Sequence, residues 1–412
     1  MINFTKEVFP NGLTLIINPI EDTRLVAFNI LYRVGSRNEN PALTGIAHLM
    51  EHLMFAGTKK FPRYDLPIAT AGGYNNAFTN PDFTNYYIVV PAEGLETAFS
   101  LEADRMFNLQ VTEKAFTVQQ RVVIEEYRQR YLNQPFGDLH HLIMKLAYKV
   151  HPYRWPTIGM DISHIEKITL SNINDFYRWF YTPSNAILTI SGNVDVQTAK
   201  MLTNKYFSSN GLINPTESLT KEPIQRKPRK KTVYRDVPAS IITIAWPMMA
   251  QNHPGYYTCD LLSDIMGTGP SSRLYKTLVT QKGIFTDIAA YISGSADPGL
   301  LMIKGLLAQT TPMEEAEEAI HATINDLLVN GINEKELITV KNKAKTNLLL
   351  SMQKPEHLSV MISSFEFNQD VNIINRLLNM YDDVSTLDIH NMAKKILTSN
   401  RTNTLCYSTK NK

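Results

Sequence analysis

Two short segments, one in each half of the chain, carry the same apolar spacing and run into the same kind of turn. The string HLMEHLM at 48–54 lines up with DLLSDIM at 260–266. A glycine-containing turn follows each, Phe55-Ala56-Gly57-Thr58 in the first and Gly267-Thr268-Gly269 in the second. A run rich in β-branched and aromatic residues precedes each, at 26–32 and at 241–245, and reads as a strand. An internal repeat on this scale restricts the chain to two copies of one supersecondary plan. The polar positions differ between the copies. Asp260, Ser263 and Asp264 stand where the first copy has His48, Glu51 and His52. The second copy is therefore expected to repeat the shape without the chemistry.

The rest of the chain fits around that repeat. The turn Pro10-Asn11-Gly12 opens onto a strand at 13–17. A helix is expected across 45–55, where Ile46, Leu49, Leu53 and Met54 recur at helical spacing. A strand at 86–90 follows, helices dominate to about residue 146, and a strand at 186–191 runs into Gly192. Strands, then helices, then a returning strand is an α+β pattern. Residues 209–232 change character: three prolines, the basic run Lys227-Pro228-Arg229-Lys230-Lys231 and few large apolar residues. That stretch reads as a linker. The expected organisation is a first domain at 1–212, a linker at 213–232 and a related second domain at 233–412.

Composition excludes several function classes. A chain of 412 residues is long enough for two or three domains with sizeable cores. Its net charge of +2 is too close to neutral for a nucleic-acid or membrane-surface protein, and no aromatic residues interleave the basic run. No stretch approaches the roughly 18 apolar residues of a membrane span. The N-terminus lacks a basic region followed by an apolar one, so the expected location is cytoplasmic, or periplasmic for a chain whose signal has been removed. The two cysteines, Cys259 and Cys406, lie in separate apolar segments and read as buried thiols. Two cysteines cannot build a cysteine-rich zinc site, so any metal must be held by His and carboxylate.

His48 and His52 provide for that. Residues four apart on a helix stack on one face with Cβ atoms about 5–6 Å apart, so both imidazoles can reach one tetrahedral zinc. Glu51 lies beside them, directed to one side, where a general base belongs. The H-E-x-x-H arrangement uses the same geometry with the base moved along the helix. The neighbours are Ile46, Ala47, Leu49, Met50, Leu53, Met54 and Phe55, among which two histidines and a glutamate are costly without a partner. A third ligand is needed, and Val122-Val123-Ile124-Glu125-Glu126-Tyr127 offers two candidates. Adjacent helical residues point about 100° apart, so one glutamate at most faces the metal. Val122, Val123 and Tyr127 look core-facing, and spacing alone does not choose between Glu125 and Glu126.

These residues resemble the pitrilysin/insulinase family of inverted-zincin metallopeptidases, which includes the mitochondrial processing peptidase. The likeness spans nearly the whole chain. It begins at Pro10-Asn11-Gly12-Leu13, is strongest over GIAHLMEHLMFAGT at 45–58, and continues through GGYNNAFT at 72–79, His151-Pro152-Tyr153 and Tyr181-Thr182-Pro183-Ser184-Asn185-Ala186. The resemblance implies two homologous α/β domains, each a mostly antiparallel sheet packed with helices, arranged as half of a clamshell. It implies one Zn2+ per chain on His48, His52 and Glu126, with Glu51 as catalytic base. It also implies a peptide substrate lying extended against an edge strand at Asn76, Ala77 and Phe78.

Two positions depart from the family pattern. Gln119 stands seven residues before Glu126, where the family often has a second acid, so a supporting carboxylate is missing. Val279 and Thr286 stand where family peptidases carry an Arg and a Tyr that steady the substrate carbonyl. The implied protein is the zinc-bearing subunit of a heterodimer, with a related subunit supplying the Arg/Tyr pair. The competing readings are a non-catalytic assembly subunit, whose relatives usually lose the zinc motif, and a zinc hydrolase acting on a non-peptide substrate. Two other features read blandly. His140-His141 are adjacent on a helix and face apart, and Gly267–Ser272, written GTGPSS, has no lysine in the position a phosphate loop requires.

Overall fold

The computed structural model describes residues 1–209, 219–368 and 370–410. Two sheets organise them. The first contains β1 (Thr5–Val8), β2 (Thr14–Pro19), β3 (Leu25–Tyr32), β4 (Tyr74–Thr79), β5 (Thr84–Pro91) and β6 (Ala186–Gly192). Its order is β1-β2-β6-β3-β5-β4, antiparallel except where β2 runs parallel to β6. The second contains β7 (Arg229–Arg235), β8 (Ile241–Pro247), β9 (Phe285–Ile292), β10 (Leu300–Leu307) and β11 (Asn403–Thr409). Its order is β7-β11-β8-β10-β9, again with a single parallel pair, β7 with β11. The run β2-β6-β3-β5-β4 therefore matches β7-β11-β8-β10-β9 strand for strand. The fold is α+β with two related domains, and the repeat extends through five strands of each sheet, β1 being an addition to the first.

The chain divides into two compact units, and each is discontinuous. One comprises Met1–Arg128, Trp155–Thr220 and Leu349–Asn375; the other comprises Gln129–Arg154, Lys221–Leu348 and Arg376–Lys412. The spans 1–212 and 233–412 expected from the sequence are contiguous, whereas each unit here takes a helical segment from the far half of the chain. The reason is which sheet each helix covers. The helix Pro355–Phe367 packs on β3 and β6. The helix Leu139–Ala147 buries Leu139, Ile143 and Met144 against Ile241, Met302 and Leu405 of the second sheet. Of the expected linker 213–232, residues 213–218 lie outside the described residues, and Arg229–Arg235 is strand β7. The basic run thus enters a sheet edge, where exposed lysines discourage pairing with another chain.

In the first unit, alternation along β3 decides the two faces. Phe28 packs its ring against Phe99 of the helix Leu95–Asn108 and Phe207 of the helix Val196–Phe207. The next residue, Asn29, points the other way. It donates to Asn85 Oδ1 at 3.0 Å and to Ser363 Oγ of the helix Pro355–Phe367 at 2.9 Å. Thr189 on β6 shares that serine hydroxyl at 2.8 Å. With helices on both faces, every residue of β6 is buried. No helix among the described residues is long and apolar enough to cross a membrane.

Candidate metal centre

The helix Ile46–Leu53 starts from Gly45, whose φ of 98° is left-handed and whose Cβ, if it had one, would lie 2.6 Å from the Ile158 carbonyl oxygen. Glycine brings no side chain to cap the helix, so the cap comes from upstream. The Glu39 carboxylate accepts from Gly45 N at 3.0 Å, Ala47 N at 2.9 Å and Trp155 Nε1 at 3.1 Å. Glu39 is only 5% exposed, and burial pushes its carboxyl up to about 8 against the opposing pull of these donors. The helix then buries Ile46, Ala47, Leu49, Met50 and Leu53, leaving His48, Glu51 and His52 on the half-exposed face.

A second helix, Glu113–Tyr127, packs across this one. Thr112 caps it by accepting from Ala115 N at 3.1 Å. Phe116, Val123 and Tyr127 form its buried stripe, and Gln120 ties it down by donating to the carbonyls of Ile165 and Ile168. Val122, expected in the core, is 45% exposed: with Val118 it lies on the outward stripe. That rotation separates the two glutamates. Glu125 points outward and pairs with Arg128, while Glu126 turns toward the histidines.

The three groups converge. His48 Nε2 lies 3.7 Å and His52 Nε2 3.5 Å from Glu126 Oε2, and the three ligand atoms lie within 4.8 Å of one another. Both separations exceed ordinary hydrogen-bond lengths. They approach the edge of a tetrahedron, about 3.3–3.4 Å for bonds of about 2.0–2.1 Å to zinc. Two imidazoles and one carboxylate are also a donor set suited to that ion, so these residues fit it. Among the described residues this is the one group of three or more His, Cys, Asp or Glu so placed. Glu126 beside it raises the His52 pKa above the usual imidazole range, with Glu51 and Gln119 adding to the effect against burial.

Two neighbours set the rest of the geometry. Thr79, the last residue of β4, donates its hydroxyl to Glu51 Oε2 at 2.5 Å. Gln119 Oε1 lies 3.3 Å from His52 Nδ1. The supporting carboxylate missing from the sequence pattern is thus replaced in place by an amide oxygen. Thr79 carried no signal beyond its position at the end of the edge-strand motif.

Asn76, Ala77 and Phe78 lie on β4, the terminal strand of the first sheet, paired on one side only with Tyr87, Tyr86 and Asn85 of β5. Asn76 and Phe78 are exposed, and Ala77 N donates to the Asn76 side chain at 2.8 Å. In the second unit Asp260, Ser263 and Asp264 lie on the helix Tyr256–Gly267. Tyr381 donates to Asp260 at 2.7 Å, and Ser263 donates back to the Asp260 carbonyl. Val279 lies in the π-helical segment Tyr275–Gln281, and Thr286 on β9 donates to the Leu306 carbonyl. The GTGPSS stretch is a helix-ending turn with Gly269 at φ +87°.

Comparison with known proteins bears on what such a centre does. Residues 16–160 match the family model described as insulinase, peptidase family M16, and residues 167–344 match that of the M16 peptidase inactive domain. The chain is 28% identical over 403 residues to a protein named zinc protease PqqE from Helicobacter pylori, covering 96% of this chain and 90% of that one. It superposes on the crystal structure of a protease from Helicobacter pylori with a TM-score of 0.94 at 27% identity, covering 99% and 100% of the two chains. The periplasmic protease PqqL from Escherichia coli shares the fold at a TM-score of 0.81 and 16% identity, and there the match covers 98% of this chain and 47% of that one.

Proposed function

We propose, from the premise that this chain belongs to the insulinase family of M16 peptidases, that it is a zinc metalloendopeptidase acting on extended, unfolded peptide segments. The observation that carries this reading is the convergence of His48, His52 and Glu126 within 4.8 Å on two packed helices. The relatives named zinc proteases support it. Zinc, when bound by these three residues, supplies a Lewis acid that polarises the scissile carbonyl and acidifies water.

The chain's own residues do the remaining work. Glu51, held through Oε2 by Thr79, accepts the proton of the attacking water and returns it to the leaving amine. The substrate backbone adds to the free side of β4 at Asn76, Ala77 and Phe78. Pairing through the main chain recognises extended conformation more than side chains, so cleavage is expected across many unfolded sequences. Val279 and Thr286 offer no guanidinium or phenol to steady the carbonyl, so a related subunit is the proposed source of both. That this chain spans about half of the longer PqqL protease fits such an arrangement.

The test is Glu51→Gln, assayed on a quenched fluorescent peptide with the chain alone and with a related subunit that carries the Arg/Tyr pair added. The variant should keep one zinc per chain and lose cleavage by about 10²–10⁴-fold. Equal cleavage by wild type and variant would overturn the mechanism. Full activity of the wild-type chain alone would overturn the partner.

A further inference from the structure

Gln119 and Glu126 lie seven residues apart on the helix Glu113–Tyr127, which returns them to nearly the same face. Glu126 meets the Nε2 side of His52, at 3.5 Å, and Gln119 Oε1 meets the Nδ1 side, at 3.3 Å. One helix therefore brackets both nitrogens of one imidazole. A neutral imidazole carries a single proton, and the nitrogen that binds a metal must be bare. With Nε2 directed at the metal-binding cluster, the proton belongs on Nδ1, and an acceptor is needed there. An amide oxygen accepts without adding charge, whereas a carboxylate in its place accepts and adds a negative charge.

We infer that Gln119 is a positioning residue that locks His52 in its Nδ1–H form and, being neutral, leaves the loaded centre one unit more positive than a carboxylate would. This rests on the reading of His48, His52 and Glu126 as zinc ligands. Two neutral imidazoles and one carboxylate around a dication leave a net charge of about +1, which a glutamate at 119 would cancel. Two consequences follow together. Zinc binds less tightly than with a carboxylate support, and the centre takes up a small anion more readily.

The experiment measures zinc affinity by chelator competition on the full chain for wild type, Gln119→Glu and Gln119→Leu. It adds an azide titration of the cobalt-substituted proteins, followed by their visible absorption. Second-sphere changes of this kind alter metal affinity by about 10–100-fold. Gln119→Leu should weaken zinc binding by about that factor, and Gln119→Glu should tighten it. The glutamate variant should also bind azide about 10-fold more weakly than wild type. A purely structural glutamine predicts lower thermal midpoints for both variants with zinc and azide affinities unchanged, and that result overturns the inference. Zinc tightening in Gln119→Glu without weaker azide binding overturns the charge argument. Failure of the wild-type chain to bind one zinc overturns the zinc reading and this inference with it.

Discussion

The helices Ile46–Leu53 and Tyr256–Gly267 follow matching strands of matching sheets, yet their polar faces are settled in opposite ways. In the first, His48 and His52 converge with Glu126 on a common point. In the second, each acid is turned to a group of the protein itself. Asp260 accepts from Tyr381, and Asp264 sits in the field of Lys343, which also donates to the Thr268 carbonyl. One strand plan can therefore carry a cluster of ligand-type side chains on one copy of the helix and none on the other by exchanging a few residues and their partners opposite. Shape alone does not distinguish the two outcomes.

That contrast can be broken experimentally. The largest effect is expected from Glu126→Gln, which should lower zinc affinity by more than about 100-fold, while Asp264→Asn in the other helix leaves zinc binding unchanged. Comparable losses from both would mean that the second helix also serves the metal. Next is Glu39→Ala. It strands the N–H groups of Gly45 and Ala47, leaves Trp155 Nε1 with the Ser36 carbonyl alone, and should destabilise the unit that carries His48 and His52 by about 3 kcal/mol in urea unfolding. The second helix has no such buried carboxylate cap at Gly255, so a loss well below 1 kcal/mol would erase that distinction.

A smaller effect concerns Asp260, whose carboxyl burial pushes up to about 6 from an ordinary 3.8. A raised folded value means that the native state holds the proton more tightly. The contribution is complete below about pH 4 and disappears as pH rises through 6, amounting to about 2–3 kcal/mol. The difference in unfolding free energy between wild type and Asp260→Asn should follow that window, and a flat difference from pH 4 to 7 would exclude it. The smallest expected change is from Thr79→Val, a loss of about 10-fold in kcat at unchanged KM, or about 1.4 kcal/mol. Thr79→Ser should restore the rate, and failure to do so would remove the hydroxyl from the account.

What the sequence made readable follows from what sets each feature. The motif helix was legible because four-residue spacing places His48 and His52 together on any helix. The repeat was legible at one aligned segment, and the strand order extends it to five strands of each sheet. Glu125 and Glu126 could not be separated by spacing, because the choice depends on helix rotation. The misleading residue was Val122, an apolar side chain facing outward. Gln119 looked like a gap because the pattern sought a charge, whereas the hydrogen bond needs only an oxygen. The discontinuous units were hidden for a similar reason: the apolar face of Pro355–Phe367 says that it must be covered, but not by which sheet.

That last feature has a consequence for how the protein is made. Asn29 and Thr189 acquire the hydroxyl of Ser363 only when residues near 363 exist, and Leu349–Asn375 completes the unit that holds the histidines. Domains ordinarily fold in turn as they leave the ribosome, at about 5–20 residues per second. Here the first unit begun cannot be finished until the chain has passed residue 375, when only the last segment of the other unit is still to come. The unit that carries His48 and His52 stays incomplete until most of the second half has been translated, so a chain terminated before residue 349 lacks one of its three segments.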